Sequence, residues 1–168
     1  LALSAHDSAG NEISATTSTI PGATYRRFGE VQYISLPAST HPTLVLTGVA
    51  QGSFTLEIQE VVGNSVTATT TFAGIHSATS TVVTMDFTDG TIANASALRV
   101  DEDGNGTTDF SLFSKVGESV TLTHTLAEPV TAKEQPTSTI TIIVSGGTGT
   151  PSEVEKITDT PPATTANA

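Results

Sequence analysis

Between Leu98 and Leu112 the chain places oxygen-bearing side chains at regular intervals. Asp101, Asp103, Asn105 and Asp109 take the first, third, fifth and ninth places of a short loop, and Gly106 takes the sixth. This is the spacing with which a loop wraps a hard cation. Alternate residues turn inward, the glycine permits the sharp bend, and the carbonyl of Thr107 at the seventh place supplies a further oxygen. Leu112 occupies the twelfth place, where a bidentate carboxylate would complete such a cage. The expected ligand set is therefore Asp101, Asp103, Asn105, Thr107 and Asp109, and the expected cofactor is Ca²⁺. The competing interpretation is a solvated Asp/Asn/Gly turn that binds nothing.

The elements that must hold this loop are strands. Leu98 and Val100 before it, and Phe110 and Leu112 after it, alternate with polar residues as strand faces do. Composition agrees. Thr fills roughly one position in five, Ser, Gly and Ala are frequent, and only 14% of residues are charged. That balance suits pleated surfaces and deprives helices of Glu, Lys and Leu. A length of 168 residues supports one domain, or one domain plus an appendage, and suffices to bury a core.

Along the chain, Leu1, Leu3 and Ala5 alternate, and Asp7 to Glu12 reads as a turn. The Thr/Ser-rich run Ile13–Ile20 is an edge strand or a loop. Tyr25 to Leu36 holds a strand, best marked by Val31, Tyr33 and Ser35 opposite Gln32, Ile34 and Leu36. Leu44–Leu46 and Phe54–Ile58 read as a hairpin around Gly48 to Gly52. Val62 to Ser65 reads as a second turn, with Asn64 at a positive-φ position. Further strands are expected over Thr81–Phe87, over Val120–Leu126 and over Ile140–Val144, with Phe54, Phe72, Phe87 and Phe110 in the core. About nine or ten short strands with turn signals between them predict an all-β, antiparallel, immunoglobulin-like β-sandwich over residues 1–147. Residues 148–168 are Thr/Pro/Ala-rich and predict a C-terminal linker or inter-subunit tail.

Several function classes are disfavoured. A net charge of -11 argues against nucleic acid and anionic membrane surfaces as partners. No cysteine is present for disulfides, thiol chemistry or cysteine-ligated metals. No stretch approaches the ~20 apolar residues of a membrane span. His6, His41, His76 and His124 are scattered, and no Gly-x-Ser-x-Gly turn occurs. Glu57, Glu60, Asp86 and Asp89 read as exposed strand-end charges rather than a hydrolytic pair. The sequence therefore predicts no catalysis. Asn94 and Asn105 head glycosylation acceptor triplets, and sugar on Asn105 would compete with metal ligation. The sparse aromatics weaken a lectin, although Tyr25, Phe28 and Tyr33 with Arg26 and Arg27 could form a binding patch.

The segments Asp7–Asn11, Ile20–Gly22, Tyr33–Pro37, Gly52–Ile58 and Val100–Asp109, in that order, resemble β-sandwich modules of large prokaryotic cell-surface proteins. The acidic run itself resembles the calcium loops of EF-hands, dockerins and bacterial surface hairpins. The likeness covers residues 1–112. It implies an extracellular, cell-surface, non-enzymatic module that spaces, adheres or assembles. Its implied partners are copies of itself or neighbouring surface domains, joined through strand edges, with glycans as the alternative. Leu1 opens without a methionine, as expected where a signal peptide has been removed or the chain is cut from something longer. A terminal segment, Leu1–Ala5 or the residues after Thr139, is the expected strand for pairing with a neighbour.

Overall fold

A computed structural model describes residues 1–122 and 137–145. The described chain is all-β. Twelve strands run in order: β1 (Ala2–His6), β2 (Glu12–Ile13), β3 (Thr24–Phe28), β4 (Val31–Pro37), β5 (Thr43–Thr47), β6 (Gly52–Val62), β7 (Ser65–Ser77), β8 (Val82–Asp86), β9 (Leu98–Asp101), β10 (Phe110–Leu112), β11 (Ser119–Thr121) and β12 (Thr137–Ser145). They form two six-stranded sheets, in the orders β10-β9-β8-β5-β1-β2 and β11-β7-β6-β12-β4-β3.

Each sheet turns one face inward because its strands alternate. In the first sheet Leu3 and Ala5 face the core from β1, Leu44 and Leu46 from β5, Val83 and Met85 from β8, and Leu98 and Val100 from β9. The register stacks them across the strands: Leu3 lies beside Leu46, Leu46 beside Val83, and Val83 beside Val100. A one-residue slip would put every one of them on the solvent face. The second sheet answers with Ile34 and Leu36, with Phe54, Leu56 and Ile58, with Phe72 and Ile75, and with Ile142. All belong to one buried cluster. Phe54, Phe72 and Phe87 lie in that cluster, whereas Phe110 is half-buried at its rim.

Several local expectations change in the folded chain. The strand expected within Tyr25 to Leu36 is β4, and a further strand, β3, precedes it and forms a hairpin with it, turning at Gly29. β5 and β6 do not form a hairpin: they belong to different sheets, and residues 48–51 carry the chain across the sandwich. Both strands are apolar on alternate positions, so either pairing satisfies the pattern. The four residues between Thr47 and Gly52 suffice for the roughly 10 Å between packed sheets. Gly48 makes that crossing tight, since a Cβ there would lie 1.6 Å from the Ala78 carbonyl oxygen. The β6–β7 hairpin forms as expected, but the positive φ falls on Gly63 and not on Asn64. β7 also continues past Gly74, where φ is +72° and the register with β6 shifts, to Ser77. Residues 123–136 and 146–168, which include His124, Leu126 and the expected C-terminal linker, lie outside the described residues.

Most neighbouring strands are antiparallel, with two departures. β11 runs parallel to β7 at the sheet edge. β12 runs parallel to both of its neighbours, β4 and β6, in the sheet interior.

One buried polar residue ties the sheets together. Gln32 on β4 accepts from the Leu3 amide at 3.1 Å and from the Tyr25 hydroxyl at 2.9 Å, and donates to the Leu1 carbonyl at 2.7 Å. Replacing Gln32 by Leu leaves these groups without a partner. The expected loss is about 1–3 kcal/mol in urea unfolding, with Tyr25→Phe losing less because it removes one bond. Equal midpoints for Gln32→Leu and the wild type would contradict this role.

Candidate metal centre

The acidic loop begins where β9 ends. Asp101 is the last β9 residue and lies beside Val82 of β8; the chain rejoins the sheet at Phe110, beside Val100. An amide from Asp109 to the Val100 carbonyl, 2.8 Å, closes the loop at its base. Inside it, side-chain oxygens gather the backbone amides. Asp101 Oδ1 accepts from Gly104 at 2.7 Å and Asn105 at 3.2 Å, and its Oδ2 accepts from Gly106 at 2.8 Å. Asp103 Oδ1 accepts from the Asn105 amide at 3.0 Å, Asn105 Oδ1 from Thr107 at 2.7 Å, and Asp109 Oδ2 from Glu102 at 2.7 Å. These bonds fold the loop inward upon the oxygens of Asp101, Asp103 and Asp109.

The loop is also docked from outside. The carbonyl of Glu102 accepts from Ser80 Oγ at 3.2 Å and from Thr81 Oγ1 at 3.0 Å. Gly104, with φ +72°, lies so close to the β7–β8 turn that a Cβ would stand 2.5 Å from the Ser80 carbonyl oxygen. A side chain at this position would both strain the backbone and lift the loop off the turn.

One oxygen from each of Asp101, Asp103 and Asp109 lies within 4.8 Å of the others. Oxygens on a sphere around Ca²⁺, at about 2.3–2.6 Å from the ion, are separated by at most roughly 5 Å. The three carboxylates are therefore close enough to share one cation. Asn105 adjoins them, its side-chain amide donating to Asp103 Oδ2 at 3.0 Å. Thr107 occupies the expected place in the loop, contributing its amide to Asn105. Leu112 lies on β10 beside Leu98 and is half-buried against the core, so it braces the hairpin. Among the described residues no salt bridge reaches these carboxylates, and no other group of three or more His, Cys, Asp or Glu side chains is close enough to share an ion. Like charges at this spacing repel by roughly 1 kcal/mol per pair in water, which a cation would reverse.

The remaining candidates separate. Tyr25 is committed to Gln32, whereas Phe28 stands 63% exposed and packs edge-on against Tyr33 with ring centroids 5.7 Å apart. Arg26 borders the same shallow hollow on the β3–β4 hairpin, while Arg27 donates to the Gly29 carbonyl at 2.8 Å. One of the four acids expected at exposed strand ends is not exposed. Glu60 is buried on the core face of β6, accepting the Ile92 amide. Asp86 pairs with Arg99 at 2.6 Å and accepts from Thr43 Oγ1 at 2.7 Å, which ties β5, β8 and β9 together on their outer face. Alternation alone could have suggested this, because all three residues occupy outward positions on apolar strands. His41 binds the Thr88 carbonyl through Nδ1.

A scan of protein-family models, a search of curated proteins and a search of solved structures each return no match.

The Thr43 hydroxyl, and after it the Arg99 guanidinium, hold the Asp86 carboxyl below its ordinary pKa. Asn11 does the same for Asp7, and Thr91 for Asp89. A carboxylate whose pKa is depressed by folding adds stability above its unfolded value, ~3.9, and loses it as pH falls through the lower folded value. Stability is therefore expected to fall as pH drops below about 4. Thr43→Val should shrink that fall, and an unchanged acid limb in this variant would show that the Thr43 bond does not act on Asp86.

Proposed function

We propose that the chain is a non-catalytic, calcium-braced structural module of a cell-surface assembly or filament, working outside the cell as an immunoglobulin-like sandwich. The observation that carries this reading is the convergence of Asp101, Asp103 and Asp109 within 4.8 Å on a loop that is closed at its base and docked against a neighbouring turn. Such a loop has a structural use for a cation. The ion cancels the repulsion of its three carboxylates and locks the β9–β10 hairpin onto the β7–β8 turn. With Leu112 in place of a bidentate carboxylate, weak affinity is expected, on the order of 10⁻⁴–10⁻³ M, which matches modules that work in extracellular calcium.

At a calcium concentration ~100-fold above the dissociation constant, the ion adds about 2.7 kcal/mol. For a domain of this size that raises the melting temperature by roughly 5–10 °C. Chelation with EDTA should reverse the shift, and Asp101→Asn or Asp109→Asn should abolish it. A melting temperature indifferent to calcium and EDTA would remove the metal from this reading.

A second reading, calcium-dependent carbohydrate binding or adhesion, draws on exposed Phe28 beside Tyr33 and Arg26. Binding to a glycan array that is lost in Phe28→Ala would favour it. The non-catalytic part is checked by a broad hydrolase screen of wild type, Glu57→Gln and Asp86→Asn. The expected result is no turnover in any of them.

A further inference from the structure

The second sheet is held together by the last described strand. β12 pairs with β6 from Thr137↔Ser53 to Ser145↔Val61, and with β4 from Ile140↔Gln32 to Ser145↔Pro37. Among the described residues it is the only strand that pairs β11-β7-β6 on one side with β4-β3 on the other. Without it, a slot one strand wide opens between two parallel strands, floored by Ile34, Leu56 and Ile58, all fully buried in the closed sheet. Ile142 lies beside both Ile34 and Ile58 and is buried there. Ile140 pairs in register with Leu56, and Val144 with Glu60.

The tether to this strand is longer than the fold requires. β11 ends at Thr121, level with Ala73 of β7; β12 begins at Thr137, level with Ser53, which lies opposite His76 of β7. The two ends are thus three strand spacings apart sideways and three residues apart lengthwise. That is a direct span of roughly 17 Å, or about five or six extended residues. Residues 123–136 separate Leu122 from Thr137, and a segment of that length reaches roughly 46 Å at full extension.

The outer edges of both sheets are poor acceptors. β2 has two residues, β10 and β11 have three each, and β3 carries exposed Arg26 and Arg27. Short and charged edges resist strand addition.

We propose that the β4–β6 slot is an assembly joint that accepts Thr137–Ser145 from a second copy of this chain, in the register seen within one chain. Exchange of an identical strand recreates every pairing of the closed sheet. Each copy gives one strand and offers one slot, so the contact is head-to-tail. It builds filaments unless the rotation between copies closes a ring. The proposal rests on the assembly reading above and names its partner, a second copy, and its joint, which is interior to a sheet rather than at an edge.

The chain has no cysteine, so disulfides can report the joint. Ser35 lies beside Ile143, and Ser53 beside Thr137. Full-length Ser35→Cys/Ile143→Cys and, as a second pair in case the first perturbs folding, Ser53→Cys/Thr137→Cys are refolded over a series of protein concentrations and oxidised. Both should give an intrachain bond when dilute and a ladder of linked dimers, trimers and longer species when concentrated. The interchain-to-intrachain ratio should rise in proportion to concentration. A mixture of the Ser35→Cys and Ile143→Cys single variants should give linked heterodimers. Only intrachain bonds at every concentration, or no bond in either pair, overturns the proposal. So does an equal ladder from the out-of-register control Ser35→Cys/Thr139→Cys. The series is run in calcium and in EDTA: the ladder reports the joint, and the melting shift reports the brace. Either can fail without the other.

Discussion

The structure depends on one strand lying between two others that cannot reach each other by a turn. β4 hands the chain to β5 in the facing sheet, and β6 returns it, so β4 and β6 point the same way. Parallel strands need a long crossover, which residues 38–51 supply through β5, and it leaves β4 and β6 one strand width apart in their sheet. β12 closes the gap by pairing in parallel with both. Burying Ile142 alone contributes about 1.5–3 kcal/mol by the area rule, a sizeable part of the margin by which a domain stays folded. The core residues Ile34, Leu56 and Ile58 are shielded from water on that side only while the slot is filled.

The acidic loop and the slot share one end of the sandwich. Glu102 and Gly104 dock on the turn at residues 78–81, and that turn also receives the Gly48 amide at the Thr81 carbonyl, 2.8 Å. Residue 48 opens the crossing to β6, whose first residues lie beside Ser77 on one side and Thr137 on the other. A cation in the loop would thus stiffen the turn, the crossing and the start of the slot together. Electrostatics at the surface and packing in the sheet meet through backbone contacts that admit only glycine at residues 48 and 104.

Much of this was legible in the sequence. Strand alternation marks β1, β6, β8, β9 and the apolar face of β12, and it gives the all-β class. The acid spacing names Asp101, Asp103 and Asp109, which the fold brings together. Pairing was less legible, because alternation says which face a residue occupies and not which strand lies alongside. Leu44–Leu46 and Phe54–Ile58 satisfy a hairpin and a sheet crossing equally well, and long-range contacts decide between them. Tyr25 to Leu36 hides a turn because Gly29-Glu30 interrupts the pattern without breaking its parity. Glu60 and Gln32 were beyond reach for another reason. A buried polar residue is tolerated only where a partner such as the Ile92 or Leu3 amide arrives from elsewhere in the chain.

Amide hydrogen exchange on the full-length protein tests most directly whether β12 holds the second sheet together. The account predicts that amides of residues 140–144 exchange as slowly as those of Ile34 and Ile58. It also predicts that Ile142→Asp speeds exchange in β4 and β6 far more than in β1, β5 and β8. Free-chain exchange at residues 140–144, with Ile34 and Ile58 still protected, would contradict it.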